Sequence, residues 1–305
     1  MTIRVILDTD IGTDVDDCLA LSVLFGSPEL TIEGITCVYG DVELRSRMVR
    51  KLLKLRSRTE IPVYEGVREP LLRLRPVYWP GHEGIGLLEV GEELPPVQPE
   101  HAVDYLVRTI NENPGEIHLL AIGPLTNVAA AFIRDPGIPR KLQHLTIMGG
   151  ALRGPDDTHL ALAEHNIICD PEAAHIVASS GAPMTWIPLD VTTKVAIRQE
   201  GIDRIRAIGT PYHDAVAAQI ALYPGFTDKG YTWLHDPLAA AVIVNPDMVK
   251  FADLHIDVET EGRLAKGVTF MRNPTESLPA NAHVAIRVNA PAAEEFVVSR
   301  IAEKP

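Results

Sequence analysis

Near the N-terminus an apolar run, Val5-Ile6-Leu7, passes straight into Asp8-Thr9-Asp10-Ile11-Gly12-Thr13-Asp14-Val15-Asp16-Asp17, and an almost wholly apolar stretch, Cys18 to Phe25, follows. That order reads as buried strand, tight loop at Gly12 and buried helix. Five carboxylates within ten residues repel one another. Burying even some of them costs several kcal/mol unless a cation neutralises them. A chain that places such a cluster where its first strand ends is expected to hold a divalent metal there.

The strand–helix rhythm continues. Leu30 to Tyr39 reads as a second strand ending at Gly40-Asp41, and Ile61 to Tyr64 as a third. Between them Leu44 to Arg58 reads as an amphipathic helix with Met48, Leu52 and Leu55 on one face. Alternation of this kind predicts an α/β fold: an open, mostly parallel, Rossmann-like sheet with right-handed crossovers, flanked by helices. From Glu69 to Pro99 the rhythm breaks in a segment rich in Pro and Gly that contains Tyr78-Trp79-Pro80-Gly81-His82-Glu83-Gly84. Such a segment inside a compact domain is a functional loop or a linker, and the unchanged composition beyond it favours the loop.

Helix resumes over Glu100 to Asn111, and strands are expected at Ile117 to Ile122, Leu145 to Met148 and Met184 to Ile187. Val128 to Ile133 reads as helix, and Asp170-Pro171 as a helix start with cap and first-turn proline. Helical material is expected to about residue 245, then strands at His255 to Thr260, Val268 to Met271 and His283 to Val288, and a last helix from Ala292. With no repeat or linker in between, residues 1–305 are expected to form a single domain.

A net charge of −13 argues against nucleic acid and anionic membranes as partners, since both need a basic face. The sequence has no signal peptide and no apolar run of about 18 residues, so no membrane association and a cytoplasmic location are expected. Cys18, Cys37 and Cys169 lack metal-type spacing, and the first two lie in apolar runs, as reduced core cysteines do.

Ligands of open α/β sheets bind beyond the carboxyl ends of the strands. The polar clusters that follow strands are Asp10 to Asp17, Gly40-Asp41, Ile122-Gly123 and Gly149-Gly150, so these should meet in one crevice. Asp236 opens an apolar helix and could be a cap, but adjacent His235 and the approach Tyr231-Thr232-Trp233 favour a functional role. Thr126, Asn127 and Asp170 read as turn and cap residues. Tyr223, Phe226, Tyr231 and Trp233 could pack ordinarily or stack on a flat ligand. An EF-hand needs glycine sixth and glutamate twelfth in its loop, whereas counting from Asp8 places glycine fifth and Leu19 twelfth. A phosphatase with an aspartyl nucleophile fits Asp8-Thr9-Asp10 but leaves Asp16-Asp17 without a role.

Taken together, Asp8 to Asp17, Gly123-Pro124-Leu125-Thr126-Asn127, Met148-Gly149-Gly150, Glu164-His165-Asn166 with Asp170-Pro171-Glu172, and His235-Asp236-Pro237 resemble the inosine–uridine-preferring nucleoside hydrolases. The resemblance implies a Ca²⁺-dependent N-ribohydrolase, one Ca²⁺ per subunit, and a nucleoside as small-molecule partner. It implies that Asp10, Asp17, the carbonyl of Ile122 and Asp236 hold the ion. Asp16, Asn166 and Asp236 would grip the ribose 2′- and 3′-hydroxyls, and Glu164 the 5′-hydroxyl. Asp10 would serve as general base toward an oriented water, His235 as acid for the leaving base, and Tyr231 or Trp233 as stacking groups. Apart from the resemblance, His82 in the glycine-rich loop reads either as a surface histidine or as a lid residue. Members are commonly dimers or tetramers, so a homodimer or homotetramer is expected.

Three positions depart from the family's commonest pattern. Ile11 stands where many members have Pro, and two more residues separate Gly12 from Asp16-Asp17, which makes Asp8 and Asp14 supporting acids. Asp41 stands where many have Asn, adding negative charge beside the sugar, and Thr158 where Asn often lies near the 5′-hydroxyl. Two rivals from other classes remain: the aspartyl phosphatase, and a non-catalytic nucleoside or sugar binder on the same fold.

Overall fold

In the computed structural model, which describes residues 2–153 and 159–304, the chain opens with β1 (Ile3–Thr9), α1 (Asp16–Phe25), β2 (Leu30–Cys37), α2 (Val42–Arg56) and β3 (Val63–Glu65). After an irregular stretch come α3 (Ala102–Glu112), β4 (Ile117–Ala121), α4 (Thr126–Arg134) and β5 (His144–Met148). Short helices α5 (His165–Cys169) and α6 (Pro171–Ala178) lead to β6 (Met184–Ile187), α7 (Leu189–Thr192) and β7 (Ala196–Arg198). Next are α8 (Gln199–Arg206), α9 (Pro211–Leu222), α10 (Pro224–Lys229), β8 (Tyr231–Trp233) and α11 (His235–Val244). The remaining elements are β9 (Val249–Val258), β10 (Thr269–Arg272), β11 (Ala282–Val288) and α12 (Ala290–Ile301).

Nine strands form one sheet in the order β10-β9-β11-β6-β5-β4-β1-β2-β3. The run from β3 to β6 is parallel, β11 joins β6 in parallel, and β9 and β10 add an antiparallel edge. Strand order reverses at β1, whose neighbours are β2 on one side and β4 on the other. A crevice opens at such a reversal, at the carboxyl ends of the strands. Val5, Ile6 and Leu7 are buried, as a central parallel strand covered on both faces requires. Both α1 and α11 are apolar around nearly their whole circumference, so each must be enclosed, and they pack directly on one another.

Several elements differ from the sequence expectation. β2 stops at Cys37 because Tyr39 and Gly40 turn into left-handed backbone at φ 65° and 76°. α1 starts two residues earlier than its apolar run, which puts Asp16 and Asp17 in its first turn, where the helix dipole favours negative charge. Tyr231-Thr232-Trp233 is not helical. This aromatic and β-branched triplet pairs antiparallel with β7 as a separate two-stranded sheet. Neither Thr126 nor Asn127 is a cap: Thr126 Oγ1 donates to Asp170 Oδ2, and Asn127 is buried among β1, β2 and the segment after β3. Asp170 does cap α6 and also holds Leu71 N at 2.8 Å, tying down the irregular segment. All three cysteines are buried and unbridged, and no helix among the described residues is long and apolar enough to cross a membrane.

Candidate active site

At the β1–β4 reversal lies a cavity of about 370 Å³ lined by Asp10, Asp14, Asp16, Asp17, Ile122, Glu164, Asn166, His235 and Asp236, with Tyr78, His165 and Tyr223 among its further wall residues. The loop after β1 is shaped by Gly12. Its φ of +117° suits no L side chain, and a Cβ there would sit 2.8 Å from Met48 Sδ. Thr9 Oγ1 holds the loop from within, accepting from Ile11 N and donating to Asp17 Oδ1 in a short hydrogen bond. Beneath it Asp8 Oδ1 accepts from Asn127 Nδ2 and Thr36 Oγ1, while Asp8 Oδ2 is buried without a hydrogen-bond partner. Burial pushes the Asp8 carboxyl up to about 7.

One oxygen each from Asp16, Asp17 and Asp236 lies within 4.8 Å of the other two. The Asp236 backbone N–H donates to Asp16 Oδ2 at 3.3 Å, so α11 and α1 meet through their first turns. Asp236 therefore lies inside its helix; the cap position is Leu234. Burial, and then mutual repulsion, hold all three carboxyls well above the usual carboxylate range. Negative charge is thus stored at a cost that a bound cation would relieve. The ligand set implied by the resemblance shares Asp17 and Asp236 with this group and adds Asp10 and the Ile122 carbonyl. Asp10 lines the same cavity, and its Oδ2 lies 3.9 Å from Arg45 Nη2.

Across the cavity Glu164 caps α5, accepting from Asn166 N, Ile167 N and Gly150 N at 2.8, 3.1 and 3.2 Å. Asn166 Nδ2 donates to the Ile122 carbonyl at 2.8 Å. That carbonyl keeps a second lone pair for another donor or ion. His235 shares a hydrogen bond between Nδ1 and Thr192 Oγ1 at 2.7 Å, and burial pulls its imidazole down to about 4.

Not every candidate residue comes to this cavity. Asp41 caps α2, accepting from Leu44 N at 3.1 Å, and lines a separate open groove of about 800 Å³ with Trp79 and His101. His82 borders an adjoining pocket of about 190 Å³, with Nε2 3.0 Å from the Thr13 carbonyl. Tyr231 and Trp233 pack edge to face on each other in β8, outside the cavity wall. Thr158 lies outside the described residues.

Sequence reasoning passed over Tyr78, His165 and the direct part of Asp14 in the wall. Tyr223 was visible only as one of a group of aromatics. Its hydroxyl reaches Asp14 Oδ2 at 2.6 Å, a contact across the fold that no local pattern announces.

Buried carboxylates at the switch point of an open parallel sheet, faced by an amide and a carboxylate from the far wall, make a pocket suited to a hydroxyl-rich ligand and to the positive charge that glycoside cleavage develops. From residue 5 to residue 295 the chain matches the family described as inosine-uridine preferring nucleoside hydrolase. It is 35% identical over 279 residues to the pyrimidine-specific ribonucleoside hydrolase RihA of Enterobacter sp. (strain 638), covering 88% of each chain. Among solved structures, the purine-preferring ribonucleoside hydrolase from Gardnerella vaginalis matches with a TM-score of 0.88 at 32% identity over 98% of both chains. A plant nucleoside hydrolase matches with a TM-score of 0.87 at 28% identity over 99% of both. The chain therefore belongs to the inosine–uridine-preferring nucleoside hydrolase family, a group of metal-dependent enzymes that hydrolyse ribonucleosides.

Proposed function

We propose that this enzyme hydrolyses the N-glycosidic bond of ribonucleosides in a Ca²⁺-dependent reaction, releasing free base and ribose. The observation that carries the reading is the meeting of Asp10, Asp16, Asp17 and Asp236 with Glu164 and Asn166 around one cavity. The donor set is all oxygen and mostly anionic, which suits Ca²⁺. Asp17, Asp236, Asp10 and the Ile122 carbonyl would hold the ion, with Asp16 near enough to share it. When bound, the ion supplies a fixed positive charge that orients a water and the ribose 2′- and 3′-hydroxyls.

The chain's own groups do the remaining work. Breaking the C–N bond builds positive charge on the ribose ring, and the surrounding carboxylates stabilise that charge as it develops. Asp10 accepts the proton of the attacking water. Asp16 and Asn166 Oδ1 accept from the sugar hydroxyls, the Asn166 amide N–H groups being taken by the Ile122 and Met148 carbonyls, and Glu164 reaches toward the 5′ end. His235 enters neutral, because burial has lowered its imidazole to about 4. It then offers the departing base an N–H hydrogen bond rather than a whole proton, which modifies the acid role implied by the resemblance. Tyr78 and Tyr223 replace Tyr231 and Trp233 as the aromatic groups at hand for the base. The phosphatase alternative loses support because no Lys or Arg lines the cavity among the described residues.

Named relatives differ in base preference, so the test is a panel of purine and pyrimidine ribonucleosides assayed for reducing sugar with and without a calcium chelator. Ribose release that stops on chelation and returns with Ca²⁺ is expected. Tight ribose-analogue binding with no turnover on any nucleoside would instead establish the non-catalytic binder.

A further inference from the structure

Behind the acidic loop lies a cation that the reaction, as derived above, does not use. Arg45, on α2, has no solvent exposure. Its Nε donates to the Tyr39 carbonyl at 2.6 Å, Nη1 to the Ile11 carbonyl at 2.8 Å and Nη2 to Thr13 Oγ1 at 3.0 Å. Trp79 covers it, with Cζ 5.0 Å from the ring centroid. Three of its hydrogen bonds thus go to neutral acceptors. Among the described residues no carboxylate takes the guanidinium in a bidentate pair; the charge faces Asp10 Oδ2 from 3.9 Å.

Burying a guanidinium without such a pair is expensive. The expense makes sense where negative charge accumulates nearby, as it does in Asp10, Asp16, Asp17 and Asp236. Two further features tie Arg45 to that loop. Tyr39 holds a left-handed φ of 65°, an unfavourable state for a non-glycine residue, and its carbonyl is the one that Arg45 Nε engages. Thr13 lies in the same loop between Gly12 and Asp16, and the same guanidinium pins it. Arg45 therefore joins the loop after β1 to the turn after β2 at the backbone level.

We propose that Arg45 is the positioning residue of this site: its fork fixes residues 11–13, and with them the backbone that carries Asp10, while its charge, facing Asp10 Oδ2 from 3.9 Å, keeps the carboxylate cluster assembled before a cation arrives. The proposal rests on the reading of Asp10 as ligand and base. Lysine would keep the charge but could not span Tyr39, Ile11 and Thr13 together.

The experiment compares the full-length wild type with Arg45→Lys and Thr13→Val. It measures steady-state ribose release, calorimetric titration with Ca²⁺ alone, and thermal unfolding. Arg45→Lys is expected to lower kcat and weaken Ca²⁺ binding, each by about 10- to 100-fold, with KM nearly unchanged. Thr13→Val should move both in the same direction by a smaller factor. A role confined to folding would lower the unfolding temperature and leave the kcat-to-KM split and the Ca²⁺ affinity at wild-type values, which overturns the proposal. Should Arg45→Lys not fold, Thr13→Val decides alone, and wild-type kcat and Ca²⁺ affinity in that variant overturn it equally. A wild type that binds Ca²⁺ but releases no ribose would end the functional reading while the Ca²⁺ titrations still judge Arg45. A wild type that does neither removes both.

Discussion

The hydroxyl of Tyr223 donates to Asp14 Oδ2 at 2.6 Å, joining the end of α9 to the loop after β1 across 209 positions of sequence. Both residues line the cavity and the adjoining pocket next to His82. Replacing Tyr223 by Phe keeps the ring and leaves the carboxylate without this donor. A stability loss of about 1–2 kcal/mol in denaturant titration is expected, together with a rise in nucleoside KM. Unchanged stability and KM would show the contact to be idle.

Asp10 is expected to be indispensable for turnover but not for folding. Asp10→Ala should lower ribose release by about 10²- to 10⁴-fold, the range for losing a positioned general base, with the circular dichroism spectrum preserved. Substantial activity in a folded Asp10→Ala protein would remove Asp10 from the mechanism.

Calcium should stabilise the protein as well as activate it. Asp16, Asp17 and Asp236 repel one another in a buried space, and an ion that binds only the folded state adds stability by mass action. At a concentration a hundred times its dissociation constant that addition is about 2.7 kcal/mol. Chelation should therefore lower the unfolding temperature, and Asp236→Asn should blunt the response to Ca²⁺. Melting curves that coincide with and without the ion would contradict the metal assignment.

Acid sensitivity should trace in part to His118, far from the cavity. Burial lowers its imidazole to about 3, and its Nε2 lies 2.8 Å from Thr146 Oγ1. Its unfolded value is about 6.5. Below that pH the unfolded chain takes up a proton that the folded chain refuses. The stabilisation is therefore complete above pH 6.5 and is lost on acidification toward the folded value, at up to about 1.4 kcal/mol per pH unit. His118→Gln should flatten that acid limb, which urea titrations at a series of pH values would reveal.

The sheet was legible because its evidence is local. The buried run Val5 to Leu7, the alternation through Tyr64 and the glycines that end strands each announce a strand–helix unit within a few residues. Asp10, Asp16, Asp17, Glu164, Asn166 and Asp236 could be named from motifs, and topology alone brought their segments to one crevice. What stayed hidden depends on side-chain direction. Asp41 follows a strand as a site residue would, yet its carboxylate turns back to Leu44 N as a cap. Tyr231 and Trp233 share a short strand whose pairing with Ala196 to Arg198 takes them out of the cavity. Arg45 lies in a stretch that reads as a basic helix face, and nothing in that pattern tells a solvated arginine from one sealed under Trp79.

The packing of α1 on α11 also bears on how the molecule assembles. Asp16 and Asp236 meet from positions 220 residues apart, so no early fragment of the chain can possess the complete cluster. The ion could be captured only after these two helices have docked, and while held it would oppose their separation. Calcium would then act as a latch on unfolding: the unfolding rate should slow as the ion is added, while the early steps of refolding proceed without it.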